Sequence, residues 1–436
     1  MRPLPSVIVL AALFLSFAAH AQAPVAPPPG AGPSEAEIAR AIQGDQTANR
    51  SAAVASPGTV TSEAPTVAGL VPRAIQSLNP DISFITDFAG AWFSHSRMVA
   101  DMQGDHDPHE NGFNLQALEM AIGATVDPYF RFDSNIVFKQ AGLEIEEAYG
   151  TTLTLPGGFQ IRAGKFFTRF GRFNPTHPHS WNFADQPLVL SQFFGGDGNR
   201  GLGLEVSELV GFLPWYVEVL LSATDARGGT TNRSFLSASA VDQAHSPSDF
   251  QYTFAIKQFF PLSDDVSLSW GLSGATAPNA AGRRSEVLGT DVYLKWRPLG
   301  EPQPPIVSLQ GEFLLRRYET AGGVLTDTGA FAQLLYRFAP RWAAGVGGEY
   351  VTTPSSDVGG VLSACNATPV SGQPSAACAA GTTQRYKSEL TFYPTEFSRL
   401  RLQYNFEPPG PTHNVSAHAV FLAVEFGIGA HGAHQF

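Results

Sequence analysis

Residues 400–407 read LRLQYNFE. Leu400, Leu402, Tyr404 and Phe406 fall on one side of a period-two alternation, and Arg401, Gln403, Asn405 and Glu407 fall on the other. A β-strand turns successive side chains to opposite faces, so this stretch describes a strand with one apolar and one polar face. The pattern recurs. In YFRFDSNIVFKQ (129–140), Phe130, Phe132, Ile136 and Phe138 oppose Arg131, Asp133, Asn135 and Lys139. In LGTDVYLKW (288–296), Leu288, Val292, Leu294 and Trp296 oppose Asp291 and Lys295. In HAVFLAVEF (418–426), Val420, Leu422, Val424 and Phe426 share a face against Ala419, Ala423 and Glu425.

About sixteen such segments run from residue 80 to residue 427. Every second connection is a tight turn rich in Pro, Gly or Asp: 127–128, 156–158, 213–214, 261–265, 339–340 and 394–398. The intervening connections are mostly longer. This is the arrangement of an antiparallel transmembrane β-barrel with short periplasmic turns and long extracellular loops. Lipid offers the backbone no hydrogen-bond partner, so only a closed sheet satisfies every N–H and C=O.

Composition agrees. Only 15% of the 436 residues are charged, against about a quarter in ordinary soluble domains. No internal apolar run reaches the length of a membrane-spanning helix. The net charge of -11 argues against nucleic acid as a partner. A positive start at Arg2, the apolar run VIVLAALFLSFAA and Ala19-His20-Ala21 describe a signal peptide over residues 1–21. Residues 22–78 are rich in Pro, Ala, Gly, Ser and Thr and read as a disordered periplasmic segment, with a short helix at 34–43. The barrel occupies residues 79–436, and the expected location is the bacterial cell outer membrane.

Sixteen strands enclose an aqueous channel, whereas a plugged import receptor needs about twenty-two. The expectation is a passive diffusion channel with outer membrane lipid and small hydrophilic solutes as partners, favouring anions. The predicted wall carries Arg131, Arg162, Lys295, Arg399 and Arg401 among its cations and Asp133 and Asp291 among its acids, and these are the candidate lumen-lining residues. A wall this wide does not constrict itself, so selectivity requires a loop folded inward.

The third long-side loop, 169–199, opens with RFGRFNPTHPHSWNFADQP (169–187). Phe170, Phe173, Trp181 and Phe183 offer apolar anchors, and Pro175, Pro178 and Pro187 reduce the entropy lost on ordering. Arg169, Arg172, His177, His179 and Asp185 are the candidate constriction residues. The H-x-H pair also suits two metal ligands on an extended segment. His106 and His109 of the first loop are positioned to join it, whereas His431 and His434 at the chain end are not. The loop holds no third ligand, so the histidines are read first as structural groups, with a metal-binding barrel as the alternative. No cofactor is assigned. No G-x-S-x-G elbow accompanies Ser180, so the chain is read as a non-enzyme; an outer membrane enzyme is the second alternative. Cys365 and Cys378 share loop 353–384; in an oxidising periplasm a pair forms a disulfide by default.

FNLQALEMAIGATVDPYFRFD (113–133), EIEEAYGTTLTLPGGFQIRAGKF (144–166), FNPTHPHSWNFADQP (173–187) and RGLGLEVSEL (200–209) resemble outer membrane proteins of the phosphate-selective porin O and P superfamily. They look most like a porin-like group within it, some members of which are described as zinc-regulated; that label concerns regulation and implies no zinc ligand. The resemblance implies a sixteen-stranded barrel, a homotrimer and an inward-folded third loop. The superfamily's dense arginine ladder is absent from these strands, which puts phosphate selectivity in doubt.

Overall fold

The computed structural model describes residues 80–96, 98, 104–139, 142–225, 233–236, 245–300, 305–353, 381–410 and 414–429. The signal peptide, the 22–78 segment, the cysteine pair and His431 and His434 lie outside these residues. Sixteen strands close into one antiparallel barrel in which each strand pairs with its neighbours in sequence and β1 pairs with β16. In order they are β1 (Asp81–Phe93), β2 (Gly112–Thr125), β3 (Phe130–Lys139), β4 (Gly142–Thr152), β5 (Phe159–Phe167), β6 (Arg200–Leu209), β7 (Tyr216–Asp225) and β8 (Phe250–Pro261). Then follow β9 (Val266–Pro278), β10 (Arg284–Trp296), β11 (Ile306–Thr320), β12 (Gly323–Ala339), β13 (Trp342–Thr353), β14 (Gly381–Thr395), β15 (Ser398–Glu407) and β16 (Ala417–Gly429).

The alternation of 400–407 survives in three dimensions. Leu402 and Tyr404 are 52% and 41% exposed on the outer surface, while Arg401, Gln403, Asn405 and Glu407 are buried inside. Strand after strand presents Leu, Val, Phe and Tyr outward, as a wall facing hydrocarbon requires. Aromatic side chains collect at the short-turn end, among them Tyr129, Phe159, Trp215, Tyr216, Trp296 and Trp342. This is the girdle expected at a membrane interface. The chain is therefore an outer membrane barrel.

On the long-loop side the connections 140–141 and 321–322 are as tight as any on the other side. Hairpins close wherever the strands meet in register, so length is invested in a few loops only. The longest connection among those fully described is 168–199, between β5 and β6.

Candidate functional site: the loop inside the barrel

Loop 168–199 crosses the lumen and is held there by polar groups of the opposite wall. Its neck is tied first. Thr168 N–H donates to Asn199 O at 2.9 Å, and the Asn174 side chain donates to Thr168 O and Asn199 O at 2.8 and 2.9 Å. The chain then turns at Gly171, with φ +58. A Cβ here would lie 2.4 Å from Glu312 Oε2, so only glycine fits. That turn aims the N–H groups of Arg172 and Phe173 at Glu312 Oε1, at 2.8 and 2.6 Å.

Further along, Arg399 donates to the carbonyls of His179 and Trp181, and Arg401 donates to those of Trp181 and Phe183. Asp185 is fully buried and accepts from Gln403 at 2.6 Å, Asn405 at 3.0 Å and Arg385 at 3.1 Å. Lys387 Nζ lies 3.0 Å from its other side. Burial opposes ionising Asp185, but Lys387 and Arg385 outweigh it and hold its pKa below the usual carboxylate value.

The loop then forms one helix, α1 (Leu188–Phe194), in which every residue is buried. PLVLSQFF (187–194) is mostly apolar, and its two polar residues, Ser191 and Gln192, are buried with the rest, as in a helix enclosed on all sides. The sequence reading passed over it because seven residues show no usable period. Leu188, Val189, Leu190, Phe193 and Phe194 pack with Phe170, Phe173 and Trp181 of the same loop against Ala275, Ala277, Val287, Leu314, Phe331 and Val351 of the wall. Three of the four predicted aromatic anchors, Phe170, Phe173 and Trp181, are therefore part of a small core inside the barrel, and the fourth, Phe183, is buried outside that cluster.

Each candidate constriction residue lies within the barrel, with different surroundings. Arg169 is ion-paired with Glu205 and Glu218 at 2.9 and 2.6 Å. Arg172 stacks on Tyr293, its guanidinium carbon 3.9 Å from the ring centroid. Burial pulls the Arg172 pKa below the usual arginine value. His177 and His179 face Glu119, Glu146 and Glu147. Asp185 is an anchor with no access to solvent, because four wall side chains close around it. Among the candidate lumen-lining residues, Arg131, Asp133, Arg162, Lys295 and Arg399 border open space. Asp291 and Arg401 point inward but are only 3% exposed beneath the loop. The loop therefore covers some of the wall charges and leaves others open.

Below the loop, toward the short turns, a cavity of about 1050 Å³ remains. Seven Lys and Arg residues line it against five Asp and Glu. Three of the arginines lie on aromatic rings: Arg162 on Tyr149 at 4.6 Å, Arg172 on Tyr293 at 3.9 Å and Arg337 on Tyr393 at 4.9 Å. A guanidinium stacked in this way keeps its edge available to a passing anion.

The histidines of the two loops do meet. His106 Nε2 is 3.0 Å from Glu146 Oε1, and His177 Nδ1 is 3.5 Å from Glu146 Oε2. His109 is exposed and stays outside this group. The carboxylates that unite the histidines, Glu119, Glu146 and Glu147, escaped the sequence reading of the loop because they sit on β2 and β4. Burial opposes charging His177, yet Glu119 and the hydrogen bonds to Glu146 and Glu147 raise its pKa well above the usual histidine value. Among the described residues, Asp105, His106 and Glu146 bring possible metal-ligand atoms within 4.8 Å of one another, as do Asp105, Glu144 and Asp197. Lys139 bonds Asp105 and Glu144, and Arg200 reaches Glu144, Glu146 and Asp197, so cations already serve both groups.

No family model matches the chain. Among solved structures, OprB of Pseudomonas putida superposes with a TM-score of 0.57 at 11% identity, over 83% of this chain and 97% of that one. An anion-selective porin from Comamonas acidovorans superposes with a TM-score of 0.51 at 8% identity, over 80% of this chain and 99% of that one. Likeness at such identities shows a shared barrel fold. Among curated proteins, an uncharacterized protein of Aquifex aeolicus (strain VF5) is 30% identical over 408 residues, spanning 84% of this chain and 81% of that one. With identity sustained over that length, the chain belongs to one family with the Aquifex aeolicus protein.

Proposed function

We propose that the protein is a passive outer membrane porin for small hydrophilic solutes, favouring anions and narrowed by loop 168–199. The observation that carries this reading is a sixteen-stranded barrel in which the inward loop 168–199 leaves a polar cavity with more cations than acids along its lining. Mixed signs on that lining suit small anions in general. A ladder built for phosphate alone would need a denser arginine series, so the resemblance to phosphate-selective porins supports an expectation about architecture only. A homotrimer belongs to the same proposal, and the mass of the detergent-extracted complex checks it: a monomeric mass removes it.

Single-channel recording in planar bilayers tests the pore itself, and absence of conductance from folded protein refutes it. Arg172→Glu tests the filter. Arg172 makes no ion pair among the described residues, so its charge acts on the cavity rather than on the loop's anchorage. The expected result is a reversal potential moved clearly toward cation preference with the barrel still folded. An unchanged reversal potential removes Arg172 from the permeation path. Arg169 is the poorer probe, because Arg169→Glu would face Glu205 and Glu218 and disturb the loop.

A further inference from the structure

We infer that the turn 104–107 is a movable lid over the solute path, and that His106 set on Glu146 closes the outer end of that path beside β4. This assignment rests on the porin reading, since a lid needs a channel to close. A second cavity locates it. That cavity holds about 20 Å³ and lies between loop 168–199 and β4, with Asn174, Gln186, Gly196, His106 and Glu146 in its lining. Phe167, Phe173, Thr176 and Trp181 line both this space and the large cavity, so the small one continues the large one toward the outer side. A space of this size takes about one water, so a solute passes only when it widens. Elsewhere the loop is fastened to the wall, through Glu205 and Glu218, through Glu312, through Arg385 and Lys387, and through its aromatic cluster.

The turn holds its own shape. Asp107 Oδ2 accepts from Gly104 N–H at 2.9 Å, and Asp107 N–H donates to Gly104 O at 2.9 Å. Gly104 leaves room for that carboxylate, because a Cβ there would lie 2.5 Å from Asp107 Oδ1. The turn then docks on the inward loop. Asp105 N–H donates to Gly196 O at 3.2 Å, Asp107 Oδ1 accepts from Gln186 N–H at 2.8 Å, and Gln116 of β2 donates to His106 O. These bonds set the His106 ring, 6% exposed, against Glu146, with Nε2 3.0 Å from Oε1. At the rim Lys139 of β3 pairs with Asp105. Each of these contacts is polar, and GDHD (104–107) carries no aliphatic or large apolar side chain. Water replaces such contacts at small net cost, whereas undocking loop 168–199 would expose its buried aromatic cluster to water. The turn is therefore the part that lifts, and the loop is the frame it closes on.

Modification of Gln186→Cys by a small maleimide, in the full, detergent-folded barrel, tests the lid without requiring conduction. Residue 186 is 5% exposed and lines the small cavity. Slow labelling is expected, counted against protein without Gln186→Cys, and labelling at least tenfold faster when His106→Gly is added. His109→Ala, on an exposed neighbour, should leave the rate unchanged. Heat-modifiable migration on gels confirms that each variant still forms a barrel. Planar bilayers supply the second readout. His106→Gly should raise the conductance several-fold. An oxidised Asp105→Cys/Gly196→Cys pair should cut it at least tenfold until reductant is added, with the unaltered protein indifferent to both treatments. A labelling rate that His106→Gly leaves unchanged overturns the lid, as does full conductance through a pair whose cross-link is confirmed by mass. Faster labelling in barrels that never conduct supports the movable lid and refutes the porin reading.

Discussion

Alanine at position 185 should release the loop and raise the single-channel conductance several-fold. Asp185 is the carboxylate on which the β14 and β15 side of the wall converges, through Arg385, Lys387, Gln403 and Asn405. Removing it leaves two buried cations short of a partner. Glu407 still serves Arg385 and Glu349 still serves Lys387, but neither belongs to the loop. Breaking a buried ion pair from one side costs about 3–5 kcal/mol, and here that loss falls on the docking of the loop rather than on the closed sheet. The expected outcome is a larger or noisier channel, new protease cleavage between residues 168 and 199, and an intact barrel. Asp185→Asn should lie between the two, since an amide still accepts from Gln403 but carries no charge. Conductance and cleavage identical to those of the unaltered protein would show that the loop is held by other contacts.

Phe194→Ala should loosen the loop from its apolar side. Phe194 is 1% exposed, with Phe170 at 5.0 Å and Phe235 at 6.1 Å between ring centroids. Truncating a buried phenylalanine typically costs about 3–5 kcal/mol, through lost transfer energy and the cavity left behind. Six other aromatics of the cluster remain to hold it, so the loss should appear as earlier thermal release of the loop and as gating noise. Phe194→Leu should recover most of it, because volume is largely kept. An unaltered release temperature for Phe194→Ala would mean that α1 contributes little to docking.

Comparing the two anchors shows what a linear reading can reach. The strands were legible because period two is a local property: LRLQYNFE states its own two faces, and nothing distant is needed to interpret it. The inward loop was legible by elimination, since a wide barrel needs a filler and 169–187 is the stretch rich enough in aromatics and prolines to supply one. The roles within that loop were not. Asp185 reads as a pore acid until the barrel closes and sets it against Arg385 and Gln403, each about two hundred residues away in sequence. The H-x-H pair reads as incomplete because its carboxylate partners belong to β2 and β4.

The sequence by itself determined the antiparallel barrel, its strand number, its apolar exterior and the loop that enters it. All of these follow from side-chain alternation and from the backbone's need for partners in lipid. The tertiary structure alone decided which charges remain open to the cavity and which are spent holding the loop. That depends on barrel closure and register, which bring residues from β2, β4, β11, β14 and β15 around one segment, and no local pattern encodes such a meeting.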